Sequence, residues 1–134
     1  MLEIALNEGN SGVFQKDISE KQDISNKYLD HIIHALKTSQ LIANVKGKKS
    51  GYMLTRKPSE ITIFDIHNAF EPGICLTECL SGNYKCDRRE GCLTVGFWGQ
   101  LNNLIINYFK SVTLEDLMLK KVSIEDDEYS VNKK

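Results

Sequence analysis

The chain predicts a mostly α-helical fold with a small β wing, that is, a winged helix-turn-helix domain followed by a long dimerisation helix. Three observations point there. A weakly apolar helical piece and a longer amphipathic one are separated by only a few residues around Asp23. Two short β-prone runs follow at once, joined by a turn of Gly and Lys. Past a window that holds every cysteine of the chain, apolar residues return at three- and four-residue steps for about five helical turns.

The elements are justified in order. Leu2, Ile4, Ala5 and Leu6 form a short apolar helical patch that ends near Gly9, with Asn10, Ser11 and Gly12 as a turn. Lys16 to Gln22 reads as a helix in which only Ile18 is strongly apolar, and Asp23 and Ile24 make the connection. Ser25 is the N-cap of the next helix, because its hydroxyl can accept from a backbone N–H that has no partner in the first turn. In that helix Tyr28, Leu29, Ile32, Ile33 and Leu36 recur as one apolar stripe. Its polar face carries Asn26, Lys27, Asp30, His31, His34 and Lys37. Short helix, tight turn and longer helix with a polar outer face is the helix-turn-helix pattern, whose second helix enters a DNA major groove.

Leu41 to Val45 and Tyr52 to Thr55 read as two strands around Lys46-Gly47-Lys48-Lys49-Ser50-Gly51. A hairpin with a cationic tip directly after a recognition helix is a wing, with Lys46, Lys48 and Lys49 placed for phosphates or the adjacent minor groove. Ile61 to Phe70 reads as a strand entry followed by a helix, which Pro72-Gly73 breaks, and His67 reads as an exposed helix residue. His31 and His34 read as groove- or solvent-facing. The long helix spans the run LTVGFWGQLNNLIINYFKSV, with Val95, Trp98, Leu101, Ile105, Tyr108, Phe109 and Val112 apolar. That is more apolar surface than one surface helix needs, so a second copy of the chain is expected to cover it. Thr113 caps a short helix, TLEDL, whose Glu115 and Asp116 lie in the first turn.

The expected organisation is a DNA-binding domain over residues 1–72, a cysteine loop over 73–93, the dimerisation and short C-terminal helices over 94–120, and a disordered acidic tail over 121–134. A length of 134 residues excludes two domains with separate cores. No apolar run approaches the roughly 18 residues that would span a bilayer, and the start MLEIALNEG has no basic segment followed by an apolar one. A cytoplasmic protein is expected. The net charge of -1 conceals a basic front: residues 1–57 carry nine Lys and Arg against six acids, and residues 58–134 carry eight against twelve. A basic front half favours nucleic acid as partner. No phosphate-cradling Gly loop, nucleophile elbow or fixed His/Asp/Ser set is present, so no enzyme is predicted.

Cys75, Cys79, Cys86 and Cys92 fall within 18 residues in the pattern C-x3-C-x6-C-x5-C. The absence of C-x-x-C argues against a zinc ribbon and against a thioredoxin-type redox site. Loops of five or six residues between thiolates can wrap an iron–sulfur core, and Lys85, Arg88 and Arg89 could offset its negative charge. Spacing alone leaves an iron–sulfur cluster, zinc and free redox-sensing thiols all open.

Taken in order, IALNEG, DISEKQDISNKYLDHIIHALKTSQLI, VKGKKSGYML, ITIFDIHNAFE, C-x6-C-x5-C, a Trp-bearing long helix and TLEDL resemble the bacterial winged-helix transcription regulators typified by IscR and NsrR. The resemblance covers nearly everything except the tail. It implies a homodimer on double-stranded promoter DNA, with a winged-helix domain at each end of a pair of antiparallel long helices. It further implies that Cys79, Cys86 and Cys92 hold an iron–sulfur cluster, of the 2Fe–2S or 4Fe–4S type, that responds to nitric oxide, oxidants or cluster supply. Lys27, Tyr28, Asp30 and Lys46 match the family's DNA-meeting positions; Ser25, His31, Lys48 and Lys49 complete the candidate set. Two departures stand out. Val95 occupies the position of the histidine ligand of IscR-like members, and the segment that supplies an acidic ligand in NsrR-like members precedes the part matched by Met1. Cys75 is the in-chain candidate for a fourth ligand. The resemblance also carries an alternative, a cluster-free regulator that senses thiols or is controlled by a partner enzyme.

Overall fold

The computed structural model describes residues 1–7, 9, 11–47, 50–82 and 85–122. Helix α1 (Leu2–Leu6) is followed by α2 (Gln15–Gln22) and α3 (Asn26–Thr38), then by strands β1 (Ile42–Asn44) and β2 (Tyr52–Leu54). A 3-10 turn at Pro58–Glu60 leads into α4 (Ile63–Asn68); two more, Glu78–Leu80 and Arg89–Gly91, lie in the cysteine loop before α5 (Val95–Ser111) and α6 (Leu114–Met118). This is the predicted winged helix-turn-helix, with adjusted boundaries. Helix α2 begins one residue earlier than its apolar pattern suggested, at Gln15, and α4 ends at Asn68 rather than at Phe70.

The turn between α2 and α3 is held by its own hydrogen bonds. Asp23 takes up the left-handed conformation at φ 50°, which a short polar side chain tolerates. The N–H groups of Asp23 and Ile24 both reach the Ser19 carbonyl, and the Ser19 hydroxyl donates to the Ile24 carbonyl at 2.8 Å. Ser25 then caps α3, accepting from the Tyr28 N–H. The relative setting of the two helices thus follows from local polar groups, and the buried Ile18, Leu29 and Ile33 secure it.

Strands β1 and β2 pair antiparallel, Ile42 opposite Leu54 and Asn44 opposite Tyr52. A third backbone segment joins them: Val13 and Tyr52 exchange N–H···O bonds of 2.9 and 2.8 Å. At this crossing Gly51 is buried, and a Cβ there would stand 2.5 Å from the Val13 backbone. Gly12 meets the same crowding at φ +69°. The two glycines let the segment after α1 lie against the base of the wing.

One core holds the domain. Ile4 of α1, Leu36 of α3, Leu41, Ile61 and Leu114 of α6 are each at most 2% exposed, and each contributes about 1.5–3 kcal/mol by burial. Residues far apart in the chain close it. Thr62 and Thr113 form an isolated bridge flanked by Ile63 N–H to Val112 carbonyl (2.9 Å) and Leu114 N–H to Ile61 carbonyl (2.8 Å). Each threonine also caps the helix that follows it in a reciprocal box, Thr62 with Asp65 and Thr113 with Asp116. Among the described residues no helix is long and apolar enough to cross a membrane. Residues 123–134, most of the segment expected to be an acidic tail, lie outside the described residues.

Candidate nucleic-acid interface and cysteine loop

Helix α3 buries Leu29, Ile33 and Leu36 and turns Lys27, Tyr28, Asp30, His31 and His34 outward, all exposed. Ser25 is exposed at its N-terminus, where a recognition helix meets base edges. Asp30 is not free: its Oδ1 accepts from Gln15 Nε2 at 2.6 Å, and Gln15 Oε1 accepts from the Tyr52 hydroxyl at 3.1 Å. This relay runs from the wing through α2 to the recognition helix. Burial first and the negative charge of Asp30 second raise the Tyr52 pKa from its ordinary value, so the phenol stays a donor.

In the wing, the Val45 N–H donates to the Gly51 carbonyl at 3.0 Å and Lys46 is exposed beside Gly47. Lys37 of α3 donates to Asn44 Oδ1 at 2.7 Å, which joins the end of the recognition helix to β1. Lys48 and Lys49 lie outside the described residues.

The cysteine loop is tied to α5 at its start and braced within itself. Asn102 of α5 is only 8% exposed although its side chain is an amide. Its Nδ2 donates to the Ile74 carbonyl at 3.0 Å, and its Oδ1 accepts from the Leu76 N–H at 2.9 Å. On the far side Arg89 donates to the Cys79 carbonyl at 2.8 Å, bringing the Arg89–Gly91 turn against the Glu78–Leu80 turn. All four cysteines are free thiols; Cys79, Cys86 and Cys92 are half-buried and Cys75 is exposed. The Cys75 thiol donates to the Thr77 carbonyl, Cys79 lies 3.3 Å from Thr77 Oγ1, and Cys92 lies 3.5 Å from Thr94 Oγ1. Hydrogen bonding from Thr94, side chain first and backbone second, lowers the Cys92 pKa. Among the described residues no three His, Cys, Asp or Glu side chains converge to hold a metal ion. The thiols therefore have the donor chemistry of a cluster site without being drawn together around one point.

The family description that matches residues 1–120 is Rrf2, iron-dependent transcriptional regulator. The chain belongs to the Rrf2 family. It is 32% identical over 121 residues to the HTH-type transcriptional regulator IscR of Pectobacterium atrosepticum, covering 90% of this chain and 73% of the relative. Among solved structures, CymR, the global cysteine regulator of B. subtilis, superimposes with a TM-score of 0.69 at 26% identity, covering 89% of this chain and 87% of CymR. The IscR of T. potens superimposes with a TM-score of 0.68 at 28% identity, covering 90% and 79%. The chain is thus a transcriptional regulator of the Rrf2/IscR type, and DNA binding follows from the family. Its relatives are named regulators rather than enzymes.

The apolar residues of helix α5 differ in how far the chain covers them. Leu101, Ile105 and Phe109 are half-buried and Val112 is buried on the side toward α4, where the Phe109 ring meets His67 edge-on at 5.8 Å. His67, expected to be exposed, is half-buried, and its Nδ1 has no hydrogen-bond partner among the described residues. Part of the stripe assigned to a second copy is therefore spent within the chain. Phe97, Leu104 and Tyr108 stand 57–66% exposed along an adjacent line of the helix, and the Phe97 ring meets Trp98, itself 36% exposed, edge-on at 5.2 Å. Sequence reasoning passed over Asn102 and Gln15, and named Arg89 only as a cation near the thiolates, not as the partner of the Cys79 carbonyl. A polar residue at a core-facing step of α5 was the one available signal for Asn102, and nothing local marked Gln15.

Proposed function

We propose that this Rrf2-family chain acts as a homodimeric, sequence-specific DNA-binding regulator that reads DNA through α3 and the wing and senses its signal at the cysteine loop. The supporting observation is mechanical. Asn102 fastens the loop to α5, α5 packs on α4, and the Thr62–Thr113 bridge joins the base of α4 to the core under the recognition helix. A change in the loop thus has a packed route to the DNA-reading surface, by which the population of DNA-competent dimers shifts.

On this reading Lys27, Tyr28, Asp30 and His31 face the major groove with Ser25 at the helix start, and Lys46, Lys48 and Lys49 meet phosphates. Asp30 accepts from cytosine N4 through the oxygen that Gln15 leaves open, and Lys27 donates to guanine or phosphate. The exposed line Phe97, Leu104 and Tyr108 is the dimer face. Cys79, Cys86 and Cys92 would hold an iron–sulfur cluster, with Cys75 the in-chain candidate for a fourth ligand; such a cluster would supply sensitivity to redox state, nitric oxide or cluster availability. Asn102 holds the start of the loop on α5, and Arg89 braces the loop internally through the Cys79 carbonyl. A cytoplasmic location accords with promoter DNA as partner.

A second reading is favoured by the likeness to a global cysteine regulator and by the Thr94 hydrogen bonds that lower the Cys92 pKa. In it the loop carries no cluster and answers to thiol oxidation or to a partner enzyme. Anaerobic purification with iron and sulfide counts and a visible absorption spectrum separates the two. Stoichiometric iron and sulfide, lost when Cys79, Cys86 and Cys92 are changed to Ala, supports the cluster. Colourless protein with full promoter binding after that triple change supports the second reading. Binding to random duplex as tight as to its own promoter region at physiological salt would sink specific regulation in both.

A further inference from the structure

We propose that Gln15, at the first position of α2, is a specificity-determining positioning residue that sets how Asp30 presents its carboxylate to DNA. The inference rests on the reading of α3 as the base-reading helix. Gln15 sits between two groups whose chemistry leaves one arrangement. A carboxylate only accepts, so the Gln15 amide must turn its NH2 toward Asp30; its carbonyl oxygen then faces Tyr52, which must donate. The distances agree, 2.6 Å on the Asp30 side and 3.1 Å on the Tyr52 side.

The consequence for Asp30 is directional. An Asp on an exposed helix face ordinarily samples several rotamers and offers two equivalent oxygens. Here Oδ1 is occupied by a charge-assisted hydrogen bond, and Oδ2 is left to meet a donor from outside. A carboxylate held this way selects a base edge with a donor at one position and repels the acceptors of guanine and thymine. The relay has little structural work to do, since the packing of α2 on α3 is carried by Ile18, Leu29 and Ile33, all at most 6% exposed, while the Gln15–Asp30 bond lies at the surface. Because the far end of the relay is Tyr52 in β2, the orientation of Asp30 is also tied to the wing.

Selection of binding sites from a pool of randomised duplex DNA tests this with the full chain and its Asp30→Ala, Gln15→Met and Tyr52→Phe variants, each checked for an unchanged far-ultraviolet circular dichroism spectrum. Methionine keeps the length of Gln15 and suits a helix but makes neither hydrogen bond. Asp30→Ala should erase discrimination at one base-pair step of each half-site. Gln15→Met should lower discrimination at that same step by roughly tenfold and leave the others alone, with Tyr52→Phe producing a smaller loss there. Gln15→Glu, which sets two carboxylates together, should lower it at least as far. A Gln15→Met or Tyr52→Phe profile identical to the unchanged protein, or one weakened evenly at every step, overturns the role of Gln15 while leaving DNA reading by α3 intact. An unchanged chain that selects no sequence overturns the base-reading function itself, and the role of Gln15 with it.

Discussion

Asn102 accepts the Leu76 N–H at 2.9 Å from inside helix α5, so a side chain 26 residues further along the chain satisfies the backbone that enters the cysteine loop. The same amide donates to the Ile74 carbonyl. Removing it leaves a donor and an acceptor in a part-buried place without partners. Asn102→Ala should cost about 2 kcal/mol in denaturant unfolding and raise hydrogen exchange at Leu76 and its neighbours well before the wing. Exchange that rises equally across the wing would show that the contact is not specific to the loop.

Gly51 has no room for a side chain. Its Cβ position falls 2.5 Å from the Val13 backbone, which is itself bonded to Tyr52 and cannot retreat without losing both bridge hydrogen bonds. Gly51→Ala should therefore destabilise by about 3 kcal/mol, measured by urea unfolding. The neighbouring exposed Gly47, which has nothing within 4 Å of its Cβ position, is set by its φ of +147° alone and should cost less.

The capping box of α6 makes stability depend on pH. Thr113 donates to Asp116 Oδ2 through its hydroxyl at 2.7 Å and its N–H at 3.0 Å. These bonds, with Lys121 nearby adding its charge, hold the Asp116 pKa below its ordinary 3.8. A depressed carboxylate stabilises the fold above that ordinary value, and the contribution is lost as pH falls through the folded one. Carboxyl titration by NMR should place Asp116 below its ordinary value, and Thr113→Val should return it upward while lowering the melting temperature by a few degrees at neutral pH.

Lys46 and Asp30 should separate affinity from specificity. Lys46→Ala removes a phosphate partner, so binding should weaken alike on every sequence and the slope of log K against log salt should fall by about 1. Asp30→Ala should leave that slope unchanged, or raise binding to non-target duplex, because it deletes a negative charge rather than a cation. Fluorescence anisotropy across a salt series, on target and random duplexes, reads both.

Leu104 is 66% exposed in the middle of α5, so changing it burdens the folded protomer little. If Phe97, Leu104 and Tyr108 form the dimer face, Leu104→Glu should convert a dimer to a folded monomer in sedimentation velocity and weaken promoter binding steeply, since two half-sites are then no longer bound together. A dimer that survives this change, and also Tyr108→Glu, would place the interface elsewhere.

Local groups that act within one turn were plain from residue order. Ser25 and Thr113 cap the helices assigned to them, because an N-cap needs only its own hydroxyl and an N–H three residues on. The buried stripe Leu29, Ile33 and Leu36 and the Gly- and Lys-bearing wing are equally local patterns. Periodicity did less well on α5. Spacing states that Leu101, Ile105 and Phe109 are apolar and share a side, but not whether α4 or a second copy covers them.

Side-chain periodicity, caps and turn residues need no partner distant in the chain. They defined the helix-turn-helix, the wing and the confinement of four cysteines between wing and long helix. The Val13–Tyr52 and Thr62–Thr113 bridges, the hold of Asn102 on the cysteine loop and the Tyr52–Gln15–Asp30 relay join residues 15 to 51 positions apart. Each is a hydrogen bond whose partners carry no local pattern. It forms only because packing of the apolar core first brings two separate segments within about 3 Å, and that meeting came from the assembled fold alone.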